Sequence, residues 1–191
     1  MARKPDGPLR KGWTTGACAT AATRAAWQAL LSGDFPDPVT ITLPRGETPS
    51  FALVKAERGP GWARASVIKD AGDDPDVTHG AEIIATVRHG TPGSGITFHA
   101  GDGVGTVTKP GLPLPPGEAA INPKPREMMI GQITELCETF GATGDVEIEI
   151  SIPGGKEIAT KTWNGRLGIV GGLSVLGTTG IVIPFSCSAW I

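Results

Sequence analysis

Tyrosine is absent from this 191-residue chain, and all aromatic residues together make up 5% of it. Cysteine occurs three times, at Cys18, Cys137 and Cys187, widely spaced and without a Cys-x-x-Cys pair. That pattern disfavours a structural zinc site or a disulfide framework and suits a reducing cytoplasm, the expected location. No apolar run approaches the roughly 20 residues that cross a bilayer. The N-terminal stretch from Met1 to Lys11 is polar, without an apolar signal region, so export is not expected. Neither sign of charge is in excess: 17 Lys and Arg against 19 Asp and Glu leave a formal −2. General affinity for nucleic acid or for an anionic membrane is therefore not expected. No internal repeat appears at solenoid periods. What remains is a globular chain long enough for one domain, or two small ones, with a buried core.

Glycine and proline are abundant, 28 and 17 residues, so the chain needs many turns and close backbone approaches. The fold class this predicts is α+β, with Gly-rich mixed or antiparallel sheets and two main helices. Residues 1–11 read as a mobile arm. An Ala-rich run predicts a helix from about Gly16 to Ser32, stopped by Gly33 and Asp34. β-Branched runs predict strands over Val39–Leu43, Phe51–Glu57, Trp62–Ile68, Glu82–Arg88 and Ile96–Ala100, with Gly59-Pro60-Gly61 turning a hairpin. Residues 119–126 read as extended, because Pro123 and Pro125 restrict the backbone, and a second helix is expected from about Glu127 to Thr139. Val146–Ile152 alternates as a strand with one wet face, and Glu157–Thr162 is expected to return beside it as a second hairpin.

The stretch from Lys69 to Glu82 stands out chemically. It holds five acidic groups, Lys69 and His79 within fourteen residues, between two strand-like runs. A surface loop needs Gly, Asp and Pro, but not a His and a Lys among aspartates. The plain alternative is a solvated acidic turn. The order Asp-x-Asp-x-Asp-Gly of a calcium hand and the Gly-Lys-Ser/Thr of a phosphate loop are both missing.

Two other features are candidate ligand loops. Thr14, Thr15 and Gly16 open the first helix, where unpaired amides and the helix dipole suit an anion; an ordinary N-cap is the alternative. Cys18 sits in the same first turn, where a lowered pKa is conceivable, although a small buried residue is the commoner role. Gly101, Gly103 and Gly105 follow a strand, as in a dinucleotide fold. The next residues, Thr106 to Gly117, are too rich in proline to continue as the required helix. The glycines still permit close approach to a flat or anionic ligand, beside Lys109, or else mark a bend in a sheet. A second Thr-Thr-Gly at 178–180 repeats the one at 14–16, either as two corners facing one ligand or by chance. The apolar end, Ser188–Ile191, reads as a cut through a larger protein or a surface for self-association.

Four strings, in this order, resemble the CbiD family: Trp13-Thr14-Thr15-Gly16-Ala17-Cys18-Ala19, Lys69 to Gly80, Gly103 to Leu112, and Asn164 to Gly180, joined by Ala120-Ile121-Asn122-Pro123 and Pro125-Arg126. The resemblance implies a cobalamin-biosynthesis enzyme that moves a methyl group from S-adenosylmethionine to carbon 1 of cobalt-precorrin-5B, giving cobalt-precorrin-6A. It also implies the N-terminal domain of a two-domain enzyme, with a second α/β domain absent here. A ring bearing many carboxylates wants Lys, Arg and backbone donors around a broad pocket. Lys69, Lys109, Arg126, Lys161 and Arg166 are candidates, with Gly101, Gly103 and Gly105 as flat walls. Asp70 and His79 are the candidates for handling a proton. The methyl donor is expected in the absent domain or between domains, and no metal ligands are expected. The alternatives are a corrin-binding module without chemistry, half of a split enzyme, or a metal- or phosphate-binding protein.

Overall fold

An alanine-rich helix buried on nearly every side sets the architecture. The computed structural model describes residues 7–186. Cys187, the apolar end at 188–191 and the first six residues of the arm lie outside the described residues. In chain order, β1 (Gly12–Trp13) leads into α1 (Thr15–Ser32), and β2 (Val39–Thr40), β3 (Ser50–Phe51), β4 (Lys55–Gly59) and β5 (Trp62–Ile68) follow. Then come β6 (Glu82–His89), β7 (Ile96–Ala100), β8 (Thr106–Val107) and α2 (Pro123–Phe140). The remaining elements are β9 (Val146–Ser151), α3 (Gly155–Ala159), α4 (Asn164–Leu167), β10 (Ile169–Val170) and β11 (Ile181–Val182).

A five-stranded sheet, ordered β4-β5-β6-β9-β7, is antiparallel except for the β9–β7 pair. Its register puts small and branched residues opposite one another: Ala63 faces Val87, Ala65 faces Ala85, and Val87 in turn faces Ile148. Small side chains here let α1 approach closely. Helix α1 packs on β5, β6 and α2, which is why its alanines are fully buried and why it has no wet face of the usual amphipathic kind. Thr14 caps it by accepting from the Ala17 amide at 3.1 Å, and Gly33 closes it in the left-handed region (φ 92°). Met128, Met129, Ile133 and Leu136 form the buried stripe of α2, and Arg24 of α1 bridges to Gln132 and Glu135 across the helix pair. A satellite core of Val107, Leu114, Ala120 and Ile169 sits under the proline-rich segment.

The fold class and the hairpin β4–β5 are as the sequence predicts, and three local readings are corrected. Helix α2 begins at Pro123, not near Glu127, and its first backbone bond runs from the Arg126 amide to the Asn122 carbonyl at 3.2 Å. Proline in a first turn loses only an amide that would have no helical partner, and its fixed φ suits the helix. Glu157–Thr162 does not return as a strand. Residues 155–159 form α3, while β9 takes both its neighbours from β6 and β7, which lie far away in sequence. The predicted strand at 51–57 divides: Phe51 pairs with β2, and the ladder resumes at Lys55 with β5.

Candidate functional site

The acidic segment is a closed loop. Its neck is held by the Lys69 amide bonding to the Ala81 carbonyl at 2.9 Å and the Gly80 amide to the Lys69 carbonyl at 2.8 Å. Inside it, Lys69 is 3% exposed. Its ammonium donates to Asp76 and to Thr78 Oγ1, while Asp76 also accepts the Thr78 amide at 2.7 Å. Burial alone would raise the Asp76 pKa, but the Lys69 ammonium and the Thr78 donors outweigh it and leave the pKa lowered. Lys69 is thus a buried partner of the loop and not a free cation.

Asp70 faces the arm. Arg10 grips its carboxylate with both η nitrogens, at 2.5 and 2.9 Å, and the Gly72 amide adds a third bond at 2.9 Å. These donors, Arg10 first, hold the Asp70 pKa at about 2. The expected arm is thus tied down at Arg10: its amide bonds to Asp73 at 2.6 Å, and just beyond it the Trp13 amide bonds to the Asp70 carbonyl at 2.7 Å. His79 Nδ1 accepts the Ala71 amide at 3.1 Å and lies 3.8 Å from Asp70. An Nδ1 that accepts a bond places the ring proton on Nε2, and the ring is half exposed. Asp70 also stands at the rim of an apolar depression of about 280 Å³ floored by Trp13, Phe51, Val54, Val67 and Ile68. Trp13 and Phe51 meet there edge to face, 5.7 Å apart.

The two Thr-Thr-Gly corners do meet, but they meet each other. The Thr14 amide bonds to the Gly180 carbonyl at 3.0 Å and the Gly16 amide to the Leu176 carbonyl at 2.8 Å, while β1 pairs with β11. With Ala17 capped by Thr14, an anion at this helix start has to displace the chain's own carbonyls. Thr15 is buried in the first turn. Cys18 is buried beside it, and desolvation pushes its thiol up to about 12.

The glycine loop is likewise turned inward. A Cβ on Gly103 would lie 1.9 Å from the Ile152 carbonyl oxygen, one on Gly105 2.9 Å from that of Gly172, and one on Gly101 2.0 Å from Ser151 Oγ. These glycines let three backbone segments touch. Lys109 is exposed next to Gly168, and Arg166 lies 4.6 Å over the exposed Trp163 ring on α4. Lys161 is exposed nearby in sequence.

Arg126 stands apart from these, in a cleft of about 450 Å³ lined by residues 96–99, 117–119 and its own side chain. The sequence expectation included Arg126 but not Phe98, His99 or Glu118, which carried no motif, nor Arg10, one of four cations in a polar arm. Only charge complementarity to the acidic stretch pointed to Arg10. Among the described residues, no group of three or more His, Cys, Asp or Glu side chains is placed to hold a metal ion, and no helix is long and apolar enough to cross a membrane.

A family model described as CbiD matches residues 2–184. The cobalt-precorrin-5B C(1)-methyltransferase of Paramagnetospirillum magneticum is 66% identical over 183 residues, covering 96% of this chain and 51% of the relative. The protein of that name from Brucella anthropi is 65% identical, with 96% and 50% covered. A crystal structure of a cobalamin biosynthesis protein (cbiD) from Archaeoglobus fulgidus superposes with a TM-score of 0.70 at 35% identity, covering 96% of this chain and 57% of that one. The chain spans about half the length of the curated relatives it matches.

Proposed function

The chain belongs to the CbiD family, and from that premise we propose that it is the corrin-binding half of a cobalt-precorrin-5B C(1)-methyltransferase in cobalamin biosynthesis. The observation that carries this reading is identity of 64–66% over 183 residues with relatives of that name. S-Adenosylmethionine supplies the methyl group. The loop at 101–105 does not have the form of a nucleotide site, because Gly103 and Gly105 face other backbone and Gly101 faces the Ser151 side chain, so the nucleoside end of the donor belongs with residues beyond this half or at the contact with them.

This half positions the ring. The Trp13–Phe51 floor offers an apolar platform for a flat macrocycle, with Asp70 in its lining and, against Asp70, Arg10 and His79 as donors for carboxylate arms. Lys109 and Arg166 are exposed cations for further arms. Holding the acceptor carbon in line with the methyl group supplies much of the rate. Asp70 and His79 take unequal parts in proton handling. A carboxylate with a pKa of about 2 binds no proton at neutral pH, so Asp70 serves as the fixed anion that orients Arg10. The His79 ring, 3.8 Å from Asp70, takes the other part.

The test joins this chain to the half of the P. magneticum relative that it does not match, and follows methylation of the cobalt-containing precursor by mass. Gain of one methyl at carbon 1 is expected, with turnover reduced in the His79→Ala and Asp70→Asn forms. Normal turnover in both variants removes these two residues from the mechanism. The half-length match also favours a second reading, a corrin-binding module without chemistry, which predicts tight precursor binding and no methyl transfer by the joined enzyme.

A further inference from the structure

Among the described residues, β7 pairs only with β9 and so lies at the edge of its sheet. The phase of that parallel ladder is set at its two ends: Val146 donates to the Gly95 carbonyl at 3.0 Å, and Gly101 donates to the Ile150 carbonyl at 2.9 Å. In a parallel pair, alternate residues turn both backbone groups to the same side. Thr97 and His99 therefore face β9, and the amides of Ile96, Phe98 and Ala100 face outward, with no strand among the described residues to receive them. This open edge forms one wall of the 450 Å³ cleft, and Glu118, Ala119 and Arg126 form the other.

Arg126 is held in place before any ligand arrives. Its Nε donates to the Ile121 carbonyl at 2.8 Å, and its Nη2 donates to Glu118 at 2.9 Å and to the Ala119 carbonyl at 3.0 Å. The guanidinium lies 5.0 Å over the Phe98 ring. A guanidinium has five N–H groups; three are used, and the two on Nη1 have no partner among the described residues. Immobilising a long side chain ordinarily opposes binding, and here that ordering is already done.

We propose that the cleft between the β7 edge and the start of α2 is a carboxylate-binding site, with the Nη1 edge of Arg126 and the outward Phe98 amide as its donors. The single charge matters. Glu118 beside Arg126 leaves little net positive potential, which opposes a doubly charged phosphate more than a carboxylate. Two ligands of the reading above carry that group: a side arm of the corrin precursor, and the amino-acid end of the methyl donor, whose ammonium Glu118 would also receive. The inference rests on that reading only for its choice of probes.

The test is amide-shift mapping by NMR of this chain, titrated separately with uroporphyrin III, its carboxyl methyl ester, and S-adenosylhomocysteine. Saturable shifts at Phe98, His99 and residues 117–119 are expected with uroporphyrin or with S-adenosylhomocysteine, and none with the ester. Whichever acts identifies the source of the carboxylate. Arg126→Lys keeps a charge but loses the fork, and should weaken that binding about tenfold or more. Shifts confined to other surfaces, or equal affinity in the Lys variant, overturn the site. Wild-type mapping stands even if the variant folds poorly. Cleft binding without methyl transfer by the joined enzyme sinks the methyltransferase reading and leaves the cleft standing; methyl transfer with no probe at the cleft does the reverse.

Discussion

Lys69 carries a charge where charge is costly. It is 3% exposed and is satisfied by Asp76 and Thr78 within its own loop. Removing one member of such a pair leaves the other buried without a partner, so Lys69→Met should cost about 3 kcal/mol in urea unfolding. Adding Asp76→Asn to it should recover part of that loss. Asp70 makes the complementary prediction at the surface. Its folded pKa, about 2, lies below the ordinary 3.8. The stabilisation it brings is therefore fully present above 3.8 and is lost as pH falls through about 2. Thermal melts of wild type and Asp70→Asn should differ at neutral pH and converge on acidification over that window. Because Arg10 and Asp70 are both exposed, solvent screening keeps the difference small. Cys18, with a thiol pKa near 12, should resist alkylation in the native protein and react only on unfolding.

Among the elements, the glycines divide into those the fold needs and those it tolerates. Gly172 lets the bend after β10 meet residue 103: a Cβ there would sit 2.2 Å from the Gly103 carbonyl oxygen, and backbone cannot move aside as a side chain can. Gly172→Ala should lower stability by about 3 kcal/mol. Gly131, on the exposed face of α2, has nothing within 4 Å of a Cβ, and Gly131→Ala should raise stability by about 0.5–1 kcal/mol. Measured melting temperatures moving in the same direction would contradict this division. The two helices differ in a related way. Helix α1 could be read from alanine propensity and a glycine stop. The start of α2 was missed because prolines at 123 and 125 look like breakers unless they are known to occupy a first turn.

At the scale of the whole molecule, the apolar Trp13–Phe51 platform, the Arg10–Asp70 clasp and the Arg126 cleft are surface features of one half of a longer family architecture. On the proposed reading this chain alone should bind a carboxylate-rich corrin precursor but transfer no methyl group, and the joined enzyme should do both. Robust turnover by the isolated chain would overturn the division of labour.

Local rules were enough for the α+β class, for β5, β7 and α1, and for the order of the family strings, because period-two alternation, helix propensity and motif order are properties of neighbouring residues. The same rules marked the loop at 69–82 as unusual without saying what its charges do. Folding decided that. It placed Arg10 on Asp70 across 60 positions, set the two Thr-Thr-Gly corners against each other, and turned the glycines of 101–105 onto Ser151, Ile152 and Gly172 instead of a ligand. It also opened a cleft beside Phe98 by leaving β7 at the edge of its sheet. Partners so distant in sequence leave no local pattern, since contact between them depends on the register of every strand in between.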